Sequence, residues 1–205
     1  MSKQKSLILL KMLMGILNFA VQAVRLGIFM LFLLMAAWQD FKTKEINVRL
    51  FWIFGVAGLG LCCLSGVETA ADVLASAQSQ RLLPELWENV FQSFLLGQLP
   101  GLALFLFFKY GEEIGKGDCW FFLICGWYLG LWDTIFVLGG AVLICGLAGL
   151  GYYVSGCIQG SQTGRMRRKM QWPFLPFAAV PGIWIAAVRL RDIIRMTAML
   201  RRFCL

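Results

Sequence analysis

Leu26-Gly27-Ile28-Phe29-Met30-Leu31-Phe32-Leu33-Leu34-Met35-Ala36-Ala37-Trp38-Gln39-Asp40 is an apolar run that stops on a carboxylate. A helix needs about 20 mostly apolar residues to cross the hydrocarbon of a bilayer. Extended back to Phe19, this stretch reaches that length and reads as a first span over 19–39. The pattern recurs over about 48–66, 89–109, 118–132, 134–157 and 172–189. Over the whole chain of 205 residues 60% are hydrophobic, against about 45–50% in soluble domains. The mean hydropathy is +0.74. The fold expected is therefore all-α, a polytopic membrane bundle of about six transmembrane helices, with glycines placed for close helix packing. A single domain over 1–205 is expected. Residues 1–18 form an interfacial helix or lengthen the first one, and 190–205 form a basic tail. Lys3, Lys5 and Lys11 open the chain as in a signal peptide. No short apolar core with a small-residue cleavage site follows them, so the segment reads as retained.

The net charge of +8 comes from 19 Lys and Arg against 11 Asp and Glu. Without a soluble domain to carry a basic face, nucleic acid is not an expected partner, whereas the lipid bilayer is. The basic residues gather between spans: Lys42, Lys44 and Arg49; Lys109 and Lys116; Arg165, Arg167, Arg168 and Lys169. Alternating spans put these three loops on one side. The 67–88 loop, with Glu68, Asp72, Glu85 and Glu88, falls on the other, so the basic loops are expected in the cytoplasm. Arg189, Arg191, Arg195, Arg201 and Arg202 oppose strict alternation. A tail folded back on the interface, a re-entrant last span or a count off by one would reconcile them.

The chain has no histidine. That removes Ser-His and Cys-His nucleophilic pairs and His-ligated zinc. The seven cysteines show no C-x-x-C spacing, and they read as small buried hydrophobes rather than a disulfide framework or zinc site. No metal and no cofactor is expected.

Among the acidic residues, most sit in loops or beside basic residues and read as solvated or paired. Asp40 and Asp118 differ, because one ends an apolar span and the other opens one. A carboxylate at the edge of hydrocarbon is costly and usually faces a bundle interior or a water-filled cavity, although Asp118 would also serve as a helix cap. Both fall at similar depth on the same side, so they can meet across the bundle. Two adjoining carboxylates share a proton. The ionised member takes a proton from water and the protonated member donates to a carbonyl, which is peptide hydrolysis without His or metal. Gly115 and Gly117 precede Asp118, and glycine lets an extended substrate approach the backbone closely.

These residues resemble the prepilin peptidase family, membrane aspartic peptidases of the Gly-x-Gly-Asp type that remove leaders from type IV prepilins and pseudopilins. The segment Asp40 to Ile46-Asn47 is similar to that family's first aspartate with its Ile-Pro-Asn, the Pro being absent here. Gly115-Lys116-Gly117-Asp118, followed by Gly126 to Gly130, is similar to its second motif, with Trp120 where a Lys often stands. Pro173-Phe174-Leu175-Pro176-Phe177 is similar to the opening of its last span. The resemblance implies Asp40 and Asp118 as the catalytic pair, with Gly115, Gly117, Ile46 and Asn47 in support. It also implies a pilin-like precursor as partner, cut at the cytoplasmic membrane face of a multi-pass cell-membrane protein. Glu112 and Glu113 would steer a basic leader. The short form resembles the stand-alone peptidases of Flp/Tad-type and archaellin-type systems, so methyl transfer is not implied.

Three other readings stand beside it. A presenilin-like or signal-peptide-peptidase-like protease also uses Gly-x-Gly-Asp, but with Tyr before the first aspartate, where this chain has Gln39. A small transporter would hold its ionisable residues near the midplane. An inactive scaffold of a pilus or secretion machine would tolerate loss of either aspartate.

Overall fold

The computed structural model describes residues 2–44, 46–75, 84, 95–110, 115–158 and 173–204. Among them the regular elements are all helical. They are α1 (Ser2–Thr43), α2 (Val48–Ala75), a 3-10 turn (Leu96–Gln98), α3 (Leu99–Tyr110), α4 (Lys116–Leu129), α5 (Leu131–Ile158) and α6 (Leu175–Cys204). Three segments are long and apolar enough to cross a membrane: Leu17–Thr43, Val48–Val67 and Leu131–Ser155. Leu96–Lys109 is apolar but shorter. The molecule is an all-α membrane helical bundle.

Residues 6–18 lengthen α1 without a break, one of the two alternatives, whereas two boundaries differ from the sequence expectation: α2 runs on to Ala75, into the stretch read as a loop, and the basic residues after 189 continue α6 to Cys204. Arginine is a good helix former, and no Pro or Gly interrupts α6 beyond Gly182.

The segment expected as a fourth span is the most enclosed helix. At 14 residues α4 is about 21 Å long, short of the ~30 Å hydrocarbon thickness. Neighbours on several sides cover it instead: α1, α2, α3, α5 and the 3-10 turn all pack on it. Cys119, Phe121, Phe122, Ile124, Cys125, Gly126 and Tyr128 are buried. Phe32 of α1 stacks on Phe121, with centroids 5.1 Å apart. In lipid, close packing rather than water exclusion holds helices together, and glycine makes it possible here. A Cβ on Gly126 would run into the carbonyl of Gly97. Pro100 sits in the first turn of α3, where its missing N–H is no loss.

At the end of the bundle marked by the α4–α5 turn, Gly130 closes α4 with φ of 80°. Arg25 Nη2 donates to the carbonyl of Trp127 in the last turn of α4. Cys62 Sγ donates to the same oxygen at 3.4 Å. Tyr128 donates its hydroxyl proton to Phe54 O at 2.6 Å. Asp133, expected to be a solvated turn residue, accepts from Arg189 Nη2 at 2.6 Å and Nε at 2.8 Å.

Candidate functional site

The α1–α2 turn fixes the first carboxylate. Lys44 leaves the helix with a positive φ of 55°, and its N–H donates to Asp40 O at 3.0 Å. A non-glycine residue in this left-handed region is uncommon and is the usual way to end a helix sharply. Asn47 N–H donates to Gln39 Oε1 at 3.1 Å, and Asn47 Oδ1 accepts from Arg49 N–H at 3.0 Å. Asn47 is thus the N-cap of α2. Its side chain supports the turn and is not part of the cavity wall described below.

Asp40 lies in the last turn of α1 and is 8% exposed. Its Oδ2 accepts from the N–H of Leu175 at 2.9 Å. Leu175 is the first residue of α6, so Asp40 sits on one of the amides that a helix N-terminus leaves open. Phe174, just before it, approaches the Phe122 ring at 6.2 Å, which ties the start of α6 to α4.

The second carboxylate comes from the start of α4, for which Gly115 is the N-cap residue. Asp118 N–H donates to Gly115 O at 3.1 Å. The carboxylate of Asp118 folds back over the same glycine. A Cβ on Gly115 would stand 3.2 Å from Asp118 Oδ2. Gly117 meets the turn after α1, where its Cβ would lie 3.1 Å from Ile46 Cδ1.

Asp40, Asp118, Gly115, Gly117 and Ile46 all line one cavity of about 1220 Å³. The two aspartates are within electrostatic reach of each other. Trp120 also lines it, half-exposed and set edge-on to Phe105 at 5.4 Å. Glu112 and Glu113 lie outside the described residues. Two carboxylates from different helices that line one cavity, Asp40 buried and Asp118 half-buried, can hold one proton between them where they approach closely. That is an acid and a base available together.

Residues 27–150 match the model of the type IV leader peptidase family. This chain belongs to that family. The stretch that matches takes in both aspartates and ends before Leu175. A type IV leader peptidase-like function, in general terms, follows from membership. No curated protein and no solved structure matches the chain.

Sequence reasoning missed two partners in this leader peptidase fold. Leu175 contributes only a backbone amide to Asp40, and an amide has no sequence signature; the Pro-Phe-Leu-Pro-Phe segment marked its neighbourhood without revealing its use. Gln39 belongs to no motif, yet its side chain closes the α1–α2 turn by accepting from Asn47 N–H.

Proposed function

We propose that this protein is a membrane-embedded aspartic endopeptidase. It cleaves the leader from type IV prepilin-like or Flp/Tad-type pilin precursors at the cytoplasmic face, as one multi-pass peptidase domain over 1–205. The observation that carries the reading is that Asp40 and Asp118, delivered by α1 and α4, line one cavity. Family membership supports the leader as the part removed.

The chemistry needs one ionised and one protonated carboxyl. The ionised aspartate takes a proton from water as its oxygen attacks the peptide carbonyl carbon. The protonated aspartate gives its proton to the carbonyl oxygen, so the tetrahedral diol carries no net charge. Return of a proton to the amide nitrogen lets the C–N bond break, which frees the amine and leaves the new acid. Gly115 and Gly117 leave room beside Asp118 for an extended backbone, and Ile46 closes that corner. The basic turns around Lys42 to Arg49 and Lys109 to Lys116 favour the cytoplasmic side for this end.

The test is co-expression with a panel of pilin-like precursors, followed by the mass shift from precursor to mature form on a gel. Wild type is expected to mature at least one precursor, and Asp40→Asn and Asp118→Asn to leave it uncut at normal membrane levels. Cleavage by either single variant overturns the two-aspartate mechanism. Failure of wild type on every precursor overturns the peptidase reading in favour of a scaffold.

A further inference from the structure

Asp40 occupies an unfavourable end of its own helix. It lies in the last turn of α1, where open carbonyls repel a negative charge, and it is buried. A carboxylate there stays ionised only with donors brought from elsewhere. α6 brings them. Phe174 O accepts from Ala178 N–H at 3.3 Å, so Phe174 is the N-cap and Leu175 the first helical residue. The N–H of Leu175 donates to Asp40 Oδ2 at 2.9 Å, and the Phe174 amide is a second backbone partner. A carboxylate has about four lone-pair sites, so two amides leave room to receive a proton.

Packing holds the start of α6 in place. Leu175 and Ala178 are fully buried. A Cβ on Gly182 would stand 2.7 Å from Leu33 Cδ2 of α1, and one on Gly140 of α5 would stand 2.9 Å from Pro181 Cβ. Contacts this close on two sides fix the amides before water or substrate arrives. Asp118 is placed differently. It is half-buried, and its backbone partner is the Gly115 amide at the start of its own helix. Two adjoining carboxylates resist double ionisation. The one with the stronger donors gives up its proton first, and its charge then holds the proton of the other.

Among the described residues, the other ionisable groups on the cavity wall are Lys44 and Lys116, both exposed, and Cys145. Cys119, beside Asp118, donates its Sγ proton to Gly115 O at 3.6 Å. Of the other helices against α1, α2 has Arg49 at this end, exposed and off the wall. The first charged residue of α6 is Arg189, fourteen residues on or about 21 Å away. The chain has no histidine, and Lys and Cys ordinarily titrate above about pH 8. The acid side of a pH profile therefore belongs to the carboxylates.

We infer that Leu175, through its backbone N–H, is the positioning residue that keeps Asp40 as the ionised, water-activating member of the pair, while Asp118 carries the proton. This rests on the proposed peptidase reading and assigns the two roles which that reading leaves open. Asp40 takes a proton from water as the water oxygen bonds to the peptide carbonyl carbon, and Asp118 gives its proton to the carbonyl oxygen. Asp40 then passes its proton to the amide nitrogen as the C–N bond breaks. Asp118 recovers a proton from a hydroxyl of the diol, and both acids return to their starting states.

The experiment follows kcat/KM against pH for the full chain in detergent, on a precursor that wild type matures. Leu175→Ala removes the side chain and keeps the N–H. Leu175→Pro removes both. Proline suits the first helical position, and an N-cap typically has the extended backbone that a following proline requires. Relative to Leu175→Ala, Leu175→Pro should move the acid limb up by about one pH unit, the worth of a hydrogen bond to a charged group, and leave the alkaline limb in place. Movement of the alkaline limb instead puts the shared proton on Asp40 and overturns the assignment. Lost thermal stability with neither limb moved reduces the contact to a helix cap and overturns it too. A second measurement needs neither proline nor cleavage. Infrared titration of carbon-13 aspartate-labelled protein follows the protonated carboxyl band in Asp118→Asn and in Asp40→Asn, each after subtraction of the double variant. Asp40 should lose its proton at lower pH than Asp118, and the reverse order overturns the assignment. If wild type cuts no precursor, the peptidase reading falls, and the order of titration alone keeps or removes the placing of the proton.

Discussion

Asp40 and Arg25 stand on the same helix, fifteen residues or about 22 Å apart, and each brings a charge to the end of another helix. Arg25 meets the carbonyl end of α4 at Trp127. Asp40 meets the amide end of α6 at Leu175. Both pairings match the sign of the helix dipole they touch. The difference lies in what surrounds them. At the Arg25 end the neighbours are hydrogen-bonded to one another: Cys62 shares the carbonyl, Tyr128 reaches Phe54 O, and at the surface Asp133 holds Arg189. At the Asp40 end the same kind of contact borders a large cavity with a second carboxylate in it. A charge against a helix end is thus a fastener in one place and, in the proposed peptidase, a reactive group in the other. The cavity makes the distinction.

Substitution at the two ends should separate these roles. The largest effect is expected at the open end. Asp40→Asn or Asp118→Asn should lower precursor cleavage at least about a thousandfold, near 4 kcal/mol of transition-state stabilisation, with little change in thermal stability in detergent. Gly115→Ala should come next. The added methyl crowds Asp118 Oδ2 at 3.2 Å, and a displaced catalytic group costs on the order of ten- to a hundredfold in rate, read as a fall in kcat with the protein still folded. Arg25→Met reverses the pattern. It should cost about 1–2 kcal/mol of stability through the lost charged hydrogen bond, seen as a lower thermal inactivation temperature, while cleavage per folded molecule stays within about twofold. The smallest effect is expected at Asn47→Ala, about 1 kcal/mol for a lost N-cap and a cleavage change of a fewfold at most. If Arg25→Met abolished cleavage while stability held, the Arg25 end would not be a mere fastener and the comparison would fail.

The sequence made the all-α membrane bundle legible because apolar runs of span length are a compositional signal, and the stretch that matches the family takes in the motif residues around Asp40 and Asp118. Their positions at span ends also pointed to one side of the bundle. Other features were hidden for physical reasons. Hydropathy registers an apolar stretch but not what covers it, so α4 read as another lipid-crossing span although other helices wrap it. Arg25 interrupts an otherwise apolar run, and its partner is a backbone carbonyl made available by the end of α4, which no pattern of side chains announces. The length of α6 was obscured in the same way, since charge alone does not distinguish a solvated helix from a tail.

The bond from Asp40 to Leu175 spans 135 residues of chain. A ribosome adds roughly 5–20 residues per second, so the amide that receives the carboxylate arrives about 7–27 s after the carboxylate itself. Asp118 follows partway through that interval, and from then until Leu175 is made both aspartates can be in the bilayer while the pocket between them lacks one of its fixings. Completion of the site is therefore tied to synthesis of the last helix, and a chain stalled or truncated between Asp118 and Leu175 carries both acids without the arrangement that organises the first of them.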